Sequence, residues 1–294
     1  MRYRAWTAAA AAVALITAGA YAAQQQEAEV KTTDLGKNTY MLEGAGGNVT
    51  VAVGTDGVIM VDAQFAPMHD RLKSAIAKVT DKPVKYLINT HYHGDHTGGN
   101  AAFGREGAII VAHQNLKDRL ANPPAGANGQ APAAAPAEAL PKQTYTDKTT
   151  VSTGGRTVQI VHIASHTDTD SFVYFPDANV MAIGDTGRPN GYPNIALGGS
   201  IDGMIAGVRT YVNMANAQTK IVPGHGPLST KADFQDYLNH LVMMRDRVAK
   251  LKTEGKTVDQ AAAAKPLSPD IQAWAKQDDM ASDRVVRQIY ASLK

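Results

Sequence analysis

The 294-residue sequence contains no cysteine. Disulfide bonds and thiolate metal ligands are therefore excluded, and any metal ion bound by this protein must be held by nitrogen and oxygen atoms. Aromatic residues are scarce, at 6% of the chain, whereas 44% of the residues are hydrophobic. This composition is ordinary for a globular protein, and the length allows one large domain or two modest ones.

Long apolar runs are missing except near the N-terminus. Two arginines, Arg2 and Arg4, precede an Ala-rich apolar stretch at 5–20, and residues 20–22 (Ala-Tyr-Ala) have the small-x-small pattern of a cleavage site. The stretch is shorter than the ~20 residues that a membrane-spanning helix needs. We therefore predict a cleaved Sec-type signal peptide at 1–22 and a periplasmic or secreted protein, with a membrane anchor as the alternative.

The sequence also lacks a strong charge of either sign. Its 29 Lys and Arg residues face 27 Asp and Glu residues, and loss of Arg2 and Arg4 with the signal peptide would make the two numbers equal. Neither a basic stripe nor a block of like charge is present. We therefore expect a small-molecule substrate, and neither nucleic acid nor, after signal cleavage, a membrane as a partner.

Short apolar runs bounded by turns, followed by helical spacing in each half, predict an α/β (α+β) domain with sheets buried between helices. We place this domain at 30–253, with an Ala/Pro-rich surface loop at 122–141, and a helical extension at 254–294. Thr230 with Asp233 predicts a capping box, and Ser268-Pro269 predicts the N-cap and first residue of a terminal helix. The predicted strands are 38–43, 48–53, 58–61, 84–88, 109–111, 157–163, 171–175, 180–183 and 221–222.

The densest group of metal-binding side chains is at 91–96, which reads His-Tyr-His-Gly-Asp-His. In an extended chain His91, His93 and Asp95 would project to one side and His96 elsewhere, so that this segment alone would serve two neighbouring ions. Imidazole and carboxylate are both ordinary zinc ligands. The segment therefore predicts a two-metal site and a metallohydrolase.

Three further candidate ligands each follow a predicted strand, where loops gather at one edge of a sheet. They are His166 in 164–168, Asp185 in 184–186 and His225 in 223–226. His162 precedes His166 by four residues and would compete with it as a ligand, but we expect His162 on a sheet face. The histidines expected to be surface or packing residues are His69, His113 and His240.

This order of motifs resembles the metallo-β-lactamase-fold hydrolase superfamily from about Asn38 to about Leu251, with Asp185 where some members have a cysteine ligand. The resemblance implies a four-layer αβ/βα sandwich with two zinc ions at one edge. It implies that Asp185 bridges both ions, and that Asp62 supports the ligands from behind. Thr90, directly before the histidine segment, is a further candidate for such support. By the same pattern one zinc ion is held by His91, His93 and His166, and the other by Asp95, His96 and His225.

The chemistry expected of such a site is attack of metal-bound hydroxide on a carbonyl carbon. Zinc lowers the pKa of a bound water toward ~7, and a second ion can stabilise the leaving anion. Asp95 would orient the hydroxide and shuttle a proton. This hypothesis makes Asp95 a catalytic residue as well as a ligand.

Substrate contacts are expected from the loop after Asp185. Arg188 stands three residues after it, as a substrate-binding lysine does in β-lactamases with a cysteine ligand, and a guanidinium binds a carboxylate through two hydrogen bonds. Asn190 and Tyr192 lie on the same loop and are further candidates.

Arg188 and the predicted export favour β-lactam ring opening as the function, with weak or promiscuous activity expected. Asp185 in place of cysteine favours a lactonase or thioesterase, which is the alternative. An iron-dependent oxidoreductase of the same fold is a third reading, and the complete ligand sets for two metals argue against its one-iron form.

Overall fold

The structure is a computed structural model, which describes residues 29–126 and 129–294. The predicted signal peptide at 1–22 lies outside the described residues. Among the residues described, no helix is both long enough and apolar enough to cross a membrane.

The first sheet has seven strands in sequence order, β1 to β7. Neighbours are antiparallel from β1 to β4 and parallel from β4 to β7, so that β4, β5 and β6 all end at the same edge. The strands are β1 (Lys31–Gly36), β2 (Thr39–Glu43), β3 (Val49–Val53), β4 (Val58–Val61), β5 (Val84–Ile88), β6 (Ile109–His113) and β7 (Gln143–Tyr145).

The second sheet has five strands in the order β12-β11-β10-β9-β8. It is antiparallel except for the pair β11 and β12, which run parallel and therefore end side by side. Its strands are β8 (Lys148–Thr153), β9 (Arg156–His162), β10 (Ser171–Phe175), β11 (Val180–Ala182) and β12 (Lys220–Val222).

Helices cover the outer face of each sheet. The α-helices are α1 (His69–Ala77), α2 (Gly94–Thr97), α3 (Asn100–Arg105), α4 (Gln114–Ala121), α5 (Ile201–Met214), α6 (Lys231–Thr253), α7 (Val258–Ala263), α8 (Asp270–Ala275) and α9 (Asp279–Ser292). Single 3-10 turns occupy 66–68, 137–139 and 184–186.

The alternation of side chains along β4 shows how the layers form. Ile59 and Val61 pack into a core shared with the second sheet, whereas Val58 and Met60 pack into a different core beneath α1 and α3. A strand buried on both faces reads as an unbroken apolar run, as β4 does. A third core lies between the second sheet and α5 to α9. The predicted four-layer αβ/βα sandwich is confirmed.

The capping box at the start of α6 is present. Thr230 Oγ1 accepts a hydrogen bond from Asp233 N at 3.3 Å, and Asp233 Oδ2 accepts one from Thr230 N at 2.8 Å. These bonds satisfy two backbone N–H groups that a helix start leaves without partners.

The expected terminal helix opening at Ser268-Pro269 is wrong in two respects. Pro269 is itself the N-cap residue of α8 and makes no side-chain capping bond. The helix also stops at Ala275, because Lys276 adopts a left-handed backbone with φ of 52°. Asp278 then caps α9 by accepting a hydrogen bond from Ala281 N at 2.9 Å. Two helices thus replace the single one expected.

Candidate metal centre

The segment 91–96 leaves the end of β5 and does not stay extended, which corrects the expectation of a single row of ligands. His93 has β-region dihedrals (φ −63°, ψ 147°) and is the N-cap of α2, which begins at Gly94. Asp95 and His96 therefore sit in a helical turn. This turn separates them from His91 and His93 and divides the segment between two ligand clusters.

The first cluster contains three imidazoles and one carboxylate, from His91, His93, His166 and Asp185. His93 Nδ1 lies 3.0 Å from His91 Nε2 and 3.0 Å from His166 Nε2. His91 and His166 are fully buried and His93 is half-buried. His166 reaches the cluster from the loop that follows β9.

The second cluster contains Asp95, His96 and His225. His225 Nε2 lies 2.9 Å from Asp95 Oδ2 and 3.4 Å from His96 Nε2. His225 arrives on the loop after β12, whose parallel pairing with β11 brings it beside Asp185. The loop backbone is fixed there by a hydrogen bond from Asn48 N to Gly224 O of 2.6 Å.

Asp185 lies between the clusters and faces both. Its Oδ1 is 3.3 Å from His96 Nε2, and its Oδ2 is 3.6 Å from His225 Nε2 and 3.9 Å from His91 Nε2. The same oxygen lies 3.9 Å from His166 Nε2. This is the position that the bridging role predicted for Asp185 requires.

Behind the ligands, Asp62 and Thr90 form a buried hydrogen-bond chain. Asp62 Oδ2 lies 2.8 Å from His96 Nδ1 and accepts from Thr90 Oγ1 at 2.7 Å, while Asp62 Oδ1 accepts from Thr90 N at 2.8 Å. Thr90 Oγ1 donates to Asp62 and so accepts from His91 Nδ1, 3.1 Å away. His91 therefore carries its proton on Nδ1 and presents the Nε2 lone pair to the clusters, while His96 Nδ1 donates to Asp62.

His166 is oriented in the same way by a backbone carbonyl. Its Nδ1 donates to Asn194 O at 2.5 Å, which leaves Nε2 free for a metal ion. The loop that carries His166 is held by the buried carboxylate of Asp170, which accepts from Ser165 Oγ at 2.7 Å and from Thr167 N at 2.9 Å. Sequence reasoning did not single out Asp170, because a lone aspartate before a strand has no distinguishing pattern.

The remaining histidines lie outside both clusters. His162 stacks on His113 with ring centroids 3.7 Å apart and donates from Nδ1 to Asp170 O at 2.7 Å. His69 packs against Phe103, and His240 stacks on the ring of Trp274.

Burial and neighbouring charges set the protonation of the clusters. Burial, reinforced by His166, lowers the pKa of His93 to about 4. Burial likewise lowers the pKa of His91 well below its usual value. Burial would also lower the pKa of His96, but the carboxylates of Asp185 and Asp62 outweigh it and raise that pKa well above its usual value. His91 and His93 are thus neutral imidazoles at neutral pH, and neutral imidazole is the form that binds metal.

These side chains fit a cation. His93 Nδ1 lies within hydrogen-bond distance of the Nε2 atoms of both His91 and His166, and a single proton on it cannot satisfy both. The buried Asp185 Oδ1 has no hydrogen bond of good geometry. A set of imidazoles and carboxylates without thiolates suits zinc among other divalent ions.

Asp185 and His225 open into a cavity of about 240 Å³ whose wall includes Arg188 and Tyr192. Asn190 does not line it; this residue is exposed and turns the loop with a left-handed φ of 59°. Two wall residues, Gln277 between α8 and α9 and Arg284 on α9, come from the C-terminal segment and were missed by sequence reasoning. The rest of the wall is Gly187, Pro193, Asn194 and Tyr237.

Residues 42–226 match the sequence model of the metallo-β-lactamase superfamily, which is more than half of the chain. The chain belongs to that superfamily. The matched region contains all seven residues of the two clusters. The two clusters are therefore a candidate dinuclear metal site within the region that places the chain in this superfamily.

Individual relatives are distant. A linear primary-alkylsulfatase from Pseudomonas sp. is 22% identical over 74% of this chain and 50% of its own length. A hydroxyacylglutathione hydrolase from Polaromonas sp. is 25% identical over 57% of this chain and 58% of its own. The chain therefore spans only about half the length of these relatives. In structure, the inverting sec-alkylsulfatase Pisa1 from Pseudomonas sp. shares the fold, with a TM-score of 0.68 at 15% identity over 93% of this chain and 52% of that one.

The choice of His166 over His162 as a ligand leads to a first test. His166→Ala should lose about one metal ion per chain, because it removes one of three imidazoles from the first cluster, whereas His162→Ala should keep the full complement. Metal content after desalting, measured by inductively coupled plasma mass spectrometry, checks this. Equal metal content in His166→Ala and the wild type would contradict the assignment.

The support from Asp62 leads to a second test. Asp62→Asn keeps the size of the side chain but removes an acceptor for His96 Nδ1 or Thr90, and we expect metal affinity to fall about 10- to 100-fold. Competition with a chromophoric chelator measures the affinity. Asp56→Asn is the control, because Asp56 is paired with Lys85 in the β3–β4 turn and touches no ligand. An unchanged affinity in Asp62→Asn would refute the supporting role.

Proposed function

We propose that this chain is a zinc hydrolase that opens β-lactam rings. The observation that carries the proposal is the presence of Arg188 in the wall of the same cavity as the metal ligands Asp185 and His225. A β-lactam presents a carboxylate close to its scissile carbonyl. A guanidinium beside the metal ligands suits that carboxylate, since it can form two parallel hydrogen bonds with it.

The position of Arg188 follows from two glycines. Its guanidinium lies over Gly191, where an added Cβ would stand 3.0 Å from Arg188 Nε, and its aliphatic stem passes Gly226, the residue after His225. Arg188 forms no ion pair with any other residue in the described part of the chain. The exposed side chain thus lies near the candidate metal site, with its charge available to a substrate.

At such a site, Asp95 and Arg188 would have different roles. When bound, zinc supplies Lewis acidity and lowers the pKa of a coordinated water. Burial would raise the pKa of Asp95, but its hydrogen bond with His225 and the charge of His96 outweigh burial and lower it. Asp95 Oδ2 is therefore ionised at neutral pH and can accept a proton during hydrolysis, while Arg188 orients the substrate.

A second candidate is hydrolysis of thioesters or lactones. It is favoured by Asp185, which stands where cysteine-ligand β-lactamases have their thiolate, and by the similarity to hydroxyacylglutathione hydrolases. The alkylsulfatase relative adds sulfate esters to the chemistry worth testing. All three substrate classes carry or release an anion, so Arg188 is compatible with each.

A substrate panel separates these candidates. Zinc-loaded protein should turn over nitrocefin faster than S-lactoylglutathione, an N-acyl homoserine lactone or 4-nitrophenyl sulfate, and Arg188→Gln should raise KM for nitrocefin more than it lowers kcat. Wild-type protein reloaded after chelator treatment is the control. Faster turnover of the thioester or lactone would favour the second candidate function. Purified protein that contains iron and consumes oxygen would contradict both hydrolase assignments.

Export is a separate part of the proposal and rests on the charge and apolarity of 1–22. If the segment is a cleaved signal peptide, mature protein from a periplasmic or culture fraction begins at Ala23 because cleavage follows Ala22. Mass spectrometry of the intact protein measures this. An unprocessed N-terminus in the cytosolic fraction alone would contradict export.

A further inference from the structure

We propose that Arg284, on α9, is a substrate-binding residue that forms with Arg188 a two-guanidinium site for an anionic group of the substrate. The site lies in the cavity that opens onto the metal ligands. Of the proposed function, this assignment assumes only that the substrate occupies this cavity. It assigns a role to the C-terminal helices that lies outside the matched region 42–226.

Helix α9 is held firmly in place by packing. Val285, Val286 and Ile289 are fully buried in the core that α5 and α6 also share. The other end of the helix is tied to α5, since Ile201 N donates to Ser292 Oγ at 3.2 Å. Arg284 is adjacent to Val285 in sequence and lies in the cavity wall. The core therefore fixes the backbone position of Arg284 next to the site, while its side chain is exposed.

The carboxylates of α9 are occupied by other partners. Asp279 Oδ2 pairs with Lys265 Nζ at 2.7 Å, and Asp283 Oδ2 pairs with Arg287 Nε at 2.8 Å. Asp278 Oδ1 caps the helix by accepting from Ala281 N. Within 29–126 and 129–294, Arg284 has neither an ion pair nor a side-chain hydrogen bond. Arg284 is thus the basic residue of α9 that lines the cavity, and its charge is available to bind a ligand.

Two unpaired guanidiniums, Arg188 and Arg284, line one cavity of about 240 Å³. Like charges that share a small cavity repel each other, and an anion between them relieves the repulsion. Carboxylate and sulfate-like groups match the fork of a guanidinium, and Gln277 adds an amide donor to the same wall. The ligand chemistry implied is therefore a small anion, and both a carboxylate and a tetrahedral sulfonate provide it.

Equilibrium binding tests the site without depending on turnover. Isothermal titration calorimetry of the full zinc-loaded protein uses hexanesulfonate and hexanoate as anionic probes and 1-hexanol as the neutral one. Arg284→Gln and Arg188→Gln should each raise the Kd for at least one anion about tenfold, the loss expected for a charge-assisted hydrogen bond. Binding of 1-hexanol should not change.

Arg209→Gln is the matched control. Arg209 is an exposed arginine on α5 that, like Arg284, has no ion pair among the described residues, but it lies outside the cavity wall. Its removal should leave the Kd of both anions unchanged. Arg284→Lys keeps the charge without the planar fork and should recover part of the lost affinity.

The outcomes separate this inference from the proposed function. Wild-type anion affinity in Arg284→Gln, equal losses in Arg284→Gln and Arg209→Gln, or no anion binding to the wild type would each overturn the two-guanidinium site. Failure to hydrolyse any substrate of the panel would overturn the proposed function alone, because the calorimetric result does not use turnover. Unaltered metal content and circular dichroism in each variant show that the fold is intact.

Discussion

The buried carboxylate of Asp62 is the fixed point on which the metal centre depends. It follows β4 with a left-handed φ of 64°, a backbone conformation that costs about 1–3 kcal/mol outside glycine and that aspartate tolerates better than most residues. Its two oxygens meet Thr90 N, Thr90 Oγ1 and His96 Nδ1. The parallel register of β4 and β5, with Val61 opposite Ile88, is what brings Thr90 within reach. Asp62 thus adopts a strained backbone conformation at the position where it orients His96 directly and His91 through Thr90.

The distance between the two halves of the site is set by the core between the sheets. The first sheet delivers the segment 91–96, and the second sheet delivers His166, Asp185 and His225. Direct backbone hydrogen bonds join the halves, from Ser171 N to Thr90 O at 2.8 Å and from Asn48 N to Gly224 O at 2.6 Å. Because metal–ligand distances tolerate only about 0.2 Å, small shifts of one sheet against the other would spoil the ligand geometry. Packing of the inter-sheet core is therefore also a condition for metal binding.

The side chains that converge in the two clusters could be picked out from the sequence because they combine an uncommon residue type with a strand end, as His225 does after the apolar pair Ile221-Val222. Strand β1 was missed because Lys31–Gly36 is mostly exposed and polar, so no apolar alternation marks it. The extended row expected of 91–96 failed because Gly94 starts a helical turn, a choice that local spacing does not reveal. Gln277 and Arg284 could not be predicted as site residues, since only tertiary packing of α9 brings these ordinary surface types to the cavity.

The candidate metal ligands and the cavity wall consequently come from different parts of the chain. The seven candidate metal ligands lie between His91 and His225, inside the matched region, whereas one wall of the cavity comes from residues beyond it. The two parts are nevertheless mechanically joined. Met181 and Ile183, which lead into the Asp185 turn, share one core with Val285 and Ile289 of α9. Close-packed cores transmit displacements rather than absorb them. A change in how α9 packs would therefore displace the backbone of Arg284 and the Asp185 turn together, because both adjoin a single hydrophobic core.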